Sequence, residues 1–221
     1  MIRLNIIKIF LLSTLFIPSI SYAENYFQLD LGYSLSVMSE SKSTSTSITT
    51  NTDGNLDERG LTFGGSVGRS INNNLDIFVG YSYFTPMQEK GVKLFGSAYT
   101  ANIDYNIQNI YLGSKYYTST NSTYKPFISG SIGYATIDMS SDLIKVNGTA
   151  SSSKLDDSVE GMSYTLSTGV ERDLNNQTVG FELRYGNYGK TGSTVKTSTG
   201  GTIDQKVDPF SQLDAIIYLK F

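Results

Sequence analysis

Apolar and polar residues alternate at period two along most of this chain. Phe27, Leu29, Leu31, Tyr33, Leu35 and Val37 interleave with Gln28, Asp30, Gly32, Ser34 and Ser36. Successive side chains of a strand point to opposite faces, so this stretch predicts a strand with one apolar and one polar face. The pattern returns over 60–71, where Leu61, Phe63 and Val67 alternate with Thr62, Gly64 and Ser66. It returns again over 75–83, with Leu75, Ile77, Val79, Tyr81 and Tyr83 opposite Asp76, Phe78, Gly80 and Ser82. Later strands are predicted over 126–134, 162–171, 179–186 and 213–221. In the last, Leu213, Ala215, Ile217, Leu219 and Phe221 share one face; Asp214, Ile216, Tyr218 and Lys220 share the other.

The fourth strand, near 99–116, changes phase. Its apolar positions are odd from Tyr99 to Ile107 and even from Ile110 to Tyr116. Either a β-bulge near Gln108 and Asn109 restores one lipid face, or Tyr99 to Asn106 is a strand end that projects beyond the membrane.

The connections alternate in length. Residues 39–55, 85–97, 140–158 and 189–208 are long, polar and rich in Ser, Thr and Gly. Such stretches read as loops. Residues 72–74, 119–123 and 175–176 are short and rich in Asn or Ser, as turns require. The sum is about eight strands, each near the ~9–11 residues a tilted membrane strand needs. Long loops at one end and short turns at the other are the asymmetry of an outer-membrane barrel.

The two ends of the chain sharpen this. Arg3 and Lys8 open the sequence, an apolar run follows from Ile9 to Ile17, and Ser21-Tyr22-Ala23 offers small residues for a peptidase. Residues 1–23 therefore read as a signal peptide, cleaved after Ala23, with 24–221 as one mature domain. Pro18 and Ser19 stop the run short of the ~20 residues of a spanning helix. Residues 1–23 hold two bases and no acid, so their removal takes the formal charge from −3 to −5. No basic patch stands out for nucleic acid. The chain has no cysteine and no histidine, but 16 Tyr and 21 Gly. Without disulfides, an exported protein needs another source of cohesion, which barrel closure supplies.

The C-terminal strand resembles the insertion signal of bacterial outer-membrane β-barrels, which ends in Phe with an apolar residue two positions earlier and a polar residue upstream. Phe221, Leu219 and Asp214 match; Ile216 stands where that signal usually has Gly. Leu112-Gly113-Ser114-Lys115-Tyr116-Tyr117 followed by Lys125-Pro126-Phe127 and, further on, Gly130, Gly133 and Tyr134 is similar to a hairpin of the small eight-stranded barrels. That group includes the opacity proteins and the OmpA transmembrane domain, found in Gram-negative bacteria. The resemblance implies an all-β fold, an eight-stranded antiparallel up-and-down transmembrane barrel in the outer membrane. Its implied partners are outer-membrane lipid and lipopolysaccharide, the outer-membrane assembly machinery, and host or cell-surface ligands met by the loops.

Alternation alone does not say which face points outward. A soluble barrel of the lipocalin kind would bury the apolar face. Two features favour the reverse. The polar face is built of Gly, Ser and Thr, which suit a narrow lumen, rather than of many Lys and Glu. The aromatics also fall at two levels: Tyr81, Tyr83, Tyr164, Tyr185 and Phe210 toward the outer end, Phe27, Tyr116 and Phe221 toward the inner. That is the girdle expected at two membrane interfaces.

Candidate chemistry is sparse. Outer-membrane acyltransferases, deacylases and proteases rely on histidine, and a chain without it has no Ser–His pair. His/Cys metal sites are excluded on the same ground. Asp53, Asp57 and Glu58 do not have the spacing of a calcium loop, and Asp156-Asp157 sits in a polar loop. No cofactor is expected, and no enzymatic activity. The inward-facing charges Asp30, Lys115, Glu171, Glu182, Arg184, Asp214 and Lys220 are the sharper signal. Buried charges must be paired, so a salt-bridged plug is expected, with Asp30, Asp214, Glu182 and Arg184 meeting in one network. A gated ion path is the alternative use of the same residues. The resulting expectation is a structural or surface-interacting barrel. A narrow porin-like channel comes second, and a soluble periplasmic ligand-binding barrel third.

Overall fold

The computed structural model describes residues 24–38, 42–45, 48–51, 56–86, 90–94, 99–120, 122–141, 145–146, 149–150, 156–188, 191–196, 202–207 and 210–221. Eight long strands form the body: β1 (Asn25–Met38), β2 (Leu56–Asn72), β3 (Leu75–Pro86), β4 (Tyr99–Tyr117), β5 (Tyr124–Ser141), β6 (Asp156–Leu174), β7 (Gln177–Tyr188) and β8 (Phe210–Lys220). Each pairs antiparallel with its neighbour in sequence. Strand β8 pairs back onto β1 from Gln28↔Lys220 to Met38↔Phe210, which closes the sheet. The seam ends on a reciprocal backbone pair: Phe27 N–H donates to the Phe221 carbonyl at 3.1 Å, and Phe221 N–H to the Phe27 carbonyl at 2.8 Å. Closure leaves the eight strands no unpaired edge, the requirement for a sheet in lipid.

The short turns follow from their residues. Asn72 Oδ1 accepts the Asn74 backbone N–H at 2.9 Å, an Asx turn between β2 and β3. Asn175 takes φ 54°, which Asn tolerates, and turns β6 into β7.

Side-chain direction settles the two faces. On β1, Asp30 and Ser34 are buried while Leu31 is 55% exposed. Ile132, Met162, Leu166 and Ile217 are likewise among the most exposed large apolar residues described. The apolar rows therefore face outward and the polar rows line the lumen, the inverse of a soluble barrel.

No bulge interrupts β4. It pairs without a break with β5 over Ile103–Tyr117 and with β3 over Ile107–Tyr116. The register shift lies instead between Ser70 and Asn72 on β2. The phase change has another cause. Ile110, Leu112 and Tyr116 face outward, whereas Ile107 is buried inside, in an apolar cluster at one end of the lumen. The inward row simply passes from polar to apolar surroundings there.

Aromatic rings enter this narrow lumen by lying on glycines. Tyr26 sits directly opposite Gly68, Tyr111 opposite Gly80, Phe78 opposite Gly113, Phe127 opposite Gly169 and Tyr218 opposite Gly180. A Cβ on Gly68 or Gly180 would overlap the tyrosine ring resting on it. These pairs occupy the β1/β2, β3/β4, β5/β6 and β7/β8 seams. At the β8/β1 seam the Ile216 side chain lies on its direct partner Gly32 in the same way.

Candidate functional site: the lumen and its two ends

Inward rows from all eight strands stack into three layers. The layer at the long-loop end is apolar: Phe84, Ile107, Ala135, Ile137, Tyr188 and Phe210 pack together. Phe210 is fully buried, its ring centroid 6.4 Å from Phe84 and 6.3 Å from Tyr188. This corrects its assignment to the outer girdle. Phe210 shares parity with Gln212 and Asp214, so it points into the barrel with them.

The middle layer centres on Arg184. Its Nε donates to Glu182 Oε1 at 2.8 Å, its Nη2 lies 3.7 Å from Asp30 Oδ2, and its guanidinium stands 5.8 Å over the Tyr111 ring. Asp214 belongs to this layer but is held by neutral donors. Gln212 Nε2 reaches Asp214 Oδ1 at 2.5 Å and Thr62 Oγ1 reaches it at 3.5 Å.

The layer at the short-turn end holds two lysines. Lys115 Nζ donates to Glu171 Oε1 at 2.7 Å and to the Tyr218 hydroxyl at 3.0 Å. It also stands 4.4 Å over Phe127 and 4.5 Å over Tyr218, a cation–π enclosure. Lys220 Nζ donates to Asp76 Oδ2 at 2.8 Å, and the Tyr117 hydroxyl contacts Asp76 and Glu171 at 2.9 Å each. Gln28 ties the two polar layers together: its Nε2 donates to Asp30 at 2.7 Å and its Oε1 receives Lys115 at 3.4 Å.

All seven inward charges singled out above thus lie in the lumen: Asp30, Glu182, Arg184 and Asp214 in the middle layer, Lys115, Glu171 and Lys220 in the layer at the short-turn end. Asp76 is the member that was missed. Its signal was its place on the polar face of β3, opposite Ile77.

On the outside, Phe27, Tyr116, Tyr164, Tyr185 and Phe221 are exposed, and Tyr81 and Tyr83 half-buried. At the long-loop end, tyrosine hydroxyls meet polar groups. Tyr81 donates to Gln108 Oε1 at 3.3 Å and Tyr134 to Glu160 Oε2 at 2.8 Å. At the other end Tyr124 stacks with Arg172, 5.5 Å from guanidinium to ring centre. Leu219 and Phe221 face outward and Asp214 inward, so the matched residues of the C-terminal signal divide between the two faces. Asp53, Asp57, Glu58, Asp156, Asp157 and residues 1–23 lie outside the residues whose side chains are described.

The layers leave little space between them. The mid-lumen cavity is about 10 Å³, lined by residues including Ser66, Asn109, Ser131 and Arg184; that is room for about one water. The short-turn end opens into a vestibule of about 620 Å³ floored by Tyr26, Asp76, Tyr117, Glu171 and Lys220. At its rim, beside the β6–β7 turn, Lys125 Nζ donates to Asp173 Oδ2 at 2.5 Å and holds that carboxyl below the usual aspartate range. Among the described residues no group of acids converges to hold a metal ion.

Neither a family model nor a curated protein matches the chain. Solved structures do. Neisserial surface protein A aligns with a TM-score of 0.57 at 19% identity, over 90% of this chain and 99% of its own. The outer membrane protein OprG of Pseudomonas aeruginosa aligns at 0.51 and 17% identity, over 89% and 96%. The fold is that of the small eight-stranded outer-membrane barrels. The outer membrane protease OmpT of Escherichia coli also aligns, at 0.55 and 8% identity over 93% of this chain and 99% of its own. At these identities the likeness is one of architecture.

Proposed function

We propose that this chain is a bacterial outer-membrane barrel with a closed lumen, whose role is structural and surface-interacting. Its long connections are the parts that meet other cells or ligands. The observation that carries the reading is the filled interior. An apolar cap, an Arg184 layer and a Lys115–Lys220 layer leave a cavity of only about 10 Å³ between them. An eight-stranded barrel is just wide enough for side chains to fill. The outward apolar belt supports lipid as the surroundings, with lipopolysaccharide on the outer leaflet. Residues 1–23 fit a cleaved export signal, and the strand ending at Leu219 and Phe221 fits recognition by the assembly machinery. Function then falls to loops on a rigid scaffold, and no catalytic role is assigned.

Planar-bilayer recording of the purified protein tests this against the channel alternative. The closed lumen predicts no conductance steps above the bare-bilayer background. Reproducible unitary steps would move the function from the loops to the lumen. Shortening 39–55, 142–155 or 189–209 one at a time should then abolish surface binding while the barrel still folds.

A further inference from the structure

Arg172 stands on the outward row of β6, the parity it shares with the exposed Met162, Tyr164 and Leu166. Its direct partner on β5 is Tyr124, which shares a face with the exposed Ile128, Ile132 and Tyr134. Both are exposed, at the same end of the barrel as Phe27, Tyr116 and Phe221. Two acids flank Arg172 in sequence, and alternation denies it both. Glu171 and Asp173 lie on the inward row, where Lys115 takes the first at 2.7 Å and Lys125 the second at 2.5 Å. Arg172 makes no ion pair with a described residue. Tyr124 holds it instead: Nη1 reaches the tyrosine hydroxyl at 3.5 Å, and the guanidinium carbon lies 5.5 Å from the ring centre. The cation is thus kept against the outer wall, beside the exposed Leu174. A charge at the margin of an apolar belt needs a counter-charge, and the described protein supplies none. The two ends of the belt also differ in sign. Among the described residues, the outward charged side chains of the strands at this end are Arg172 and, across the barrel on β2, Arg69; at the long-loop end they include Asp138 and Glu160. The tyrosine oxygen accepts from Arg172, so its own O–H is left to donate, and the guanidinium keeps its other N–H groups. A planar fork of N–H donors with a hydroxyl beside it matches the oxygens of a phosphate.

We propose that Arg172 and Tyr124 bind the phosphodiester of a glycerophospholipid, with its acyl chains lying along Val170, Leu166 and Ile128. Those three side chains continue the same outward face toward the middle of the belt, Val170 opposite Pro126 and Ile128 opposite Thr168. Free phosphate shares the headgroup chemistry, but only a lipid uses the apolar surface that adjoins it. The proposal rests on the outer-membrane reading for the leaflet alone. That reading turns the short turns toward the periplasm, so the lipid is one of the inner leaflet, and its phosphate would fix the depth at which the barrel sits.

The test is a titration of dimyristoylphosphatidylglycerol into the full-length mature protein, folded in uncharged detergent micelles and followed by NMR. Saturable shifts of the Arg172 Nε–H and of the amides of 122–128 and 168–175 are expected. Dimyristoylglycerol, which has the chains without the phosphate, and inorganic phosphate, which lacks the chains, should each leave the Arg172 Nε–H in place. Arg172→Gln should bind about tenfold more weakly, the scale of one charge-assisted hydrogen bond, with its unheated SDS mobility unchanged. Arg172→Lys, a charge without the fork, should fall between the two. Arg69→Gln, on the far side, should leave the affinity read at Arg172 as it was. If Arg172→Gln does not fold, Tyr124→Phe, which keeps the ring and loses the hydroxyl, should still weaken binding. Equal shifts from dimyristoylglycerol would reduce the site to a stretch of apolar belt and overturn it. Saturation by inorganic phosphate at the same affinity would overturn the lipid as occupant, and affinity indifferent to Arg172→Gln would overturn the site. Membrane fractionation judges the leaflet separately. A barrel that binds the lipid in micelles but is absent from the outer-membrane fraction refutes the orientation and keeps the site.

Discussion

Arg184 shows how much rests on one side chain. It is the sole base of the middle layer, 2.8 Å from Glu182 and 3.7 Å from Asp30, with Asp214 nearby on neutral partners. Removing one member of a buried ion pair strands the other, at a cost of about 3–5 kcal/mol. Arg184→Ala should therefore lower barrel stability by about that amount, read as a shift of the urea unfolding midpoint in detergent micelles; an unmoved midpoint would mean the pairs hold nothing together. Asp173 illustrates the opposite case, a pair in water. Its carboxyl is held low by the Lys125 ammonium. A depressed folded-state value stabilises above the unfolded-state value, and that contribution disappears as pH falls through the folded-state value. With the Asp173 side chain about half exposed, the contribution is small. Lys125→Ala should raise the Asp173 titration midpoint toward that of a free aspartate in a carbonyl NMR titration, and a midpoint that stays low would assign the depression to another group.

At the scale of the strand, the narrow lumen sets the rules. Gly180 and Tyr218 face each other across β7 and β8, and a methyl on Gly180 would enter the ring. Gly180→Ala should destabilise the barrel by about 1–3 kcal/mol, the usual range for overpacking, whereas Gly130→Ala, whose added carbon meets only ordinary contacts, should not. Comparing their unfolding midpoints checks the difference; equal midpoints would mean the ring simply moves aside. Strand positions and faces were legible in the sequence because period-two alternation is a local signal that survives for nine or more residues. The grouping of charges into two layers was not, because it depends on the register between strands distant in sequence, such as Lys115 on β4 with Glu171 on β6. Phe210 was misread for a related reason. It opens β8 right after a long polar loop, and its parity is plain only when counted back from Asp214. Ile107 misled because an inward apolar residue looks outward in any pattern that equates apolar with lipid.

For the molecule as a whole, cohesion comes from closure, and no disulfide is possible in a chain without cysteine. Backbone pairing all the way round, completed at Phe27 and Phe221, should keep the barrel folded in SDS without heating. The unheated and boiled protein should then migrate differently on electrophoresis, and identical mobility would contradict a closed barrel.

Closure also sets a counting problem for a chain with four long connections. A slip of one residue turns every apolar side chain inward and is rejected at once. A slip of two keeps every residue on its proper face, so the alternation that defines the strands is blind to it. Short turns forbid such a slip at the β2/β3, β4/β5 and β6/β7 seams. The other five seams have no short turn, and each carries a large side chain seated on a directly opposed glycine. Shift such a seam by two and the large side chain meets another side chain instead of its seat. Those glycines act as a key cut into each unguided joint, letting the strands lock in one alignment out of several that would otherwise look equally acceptable to the membrane.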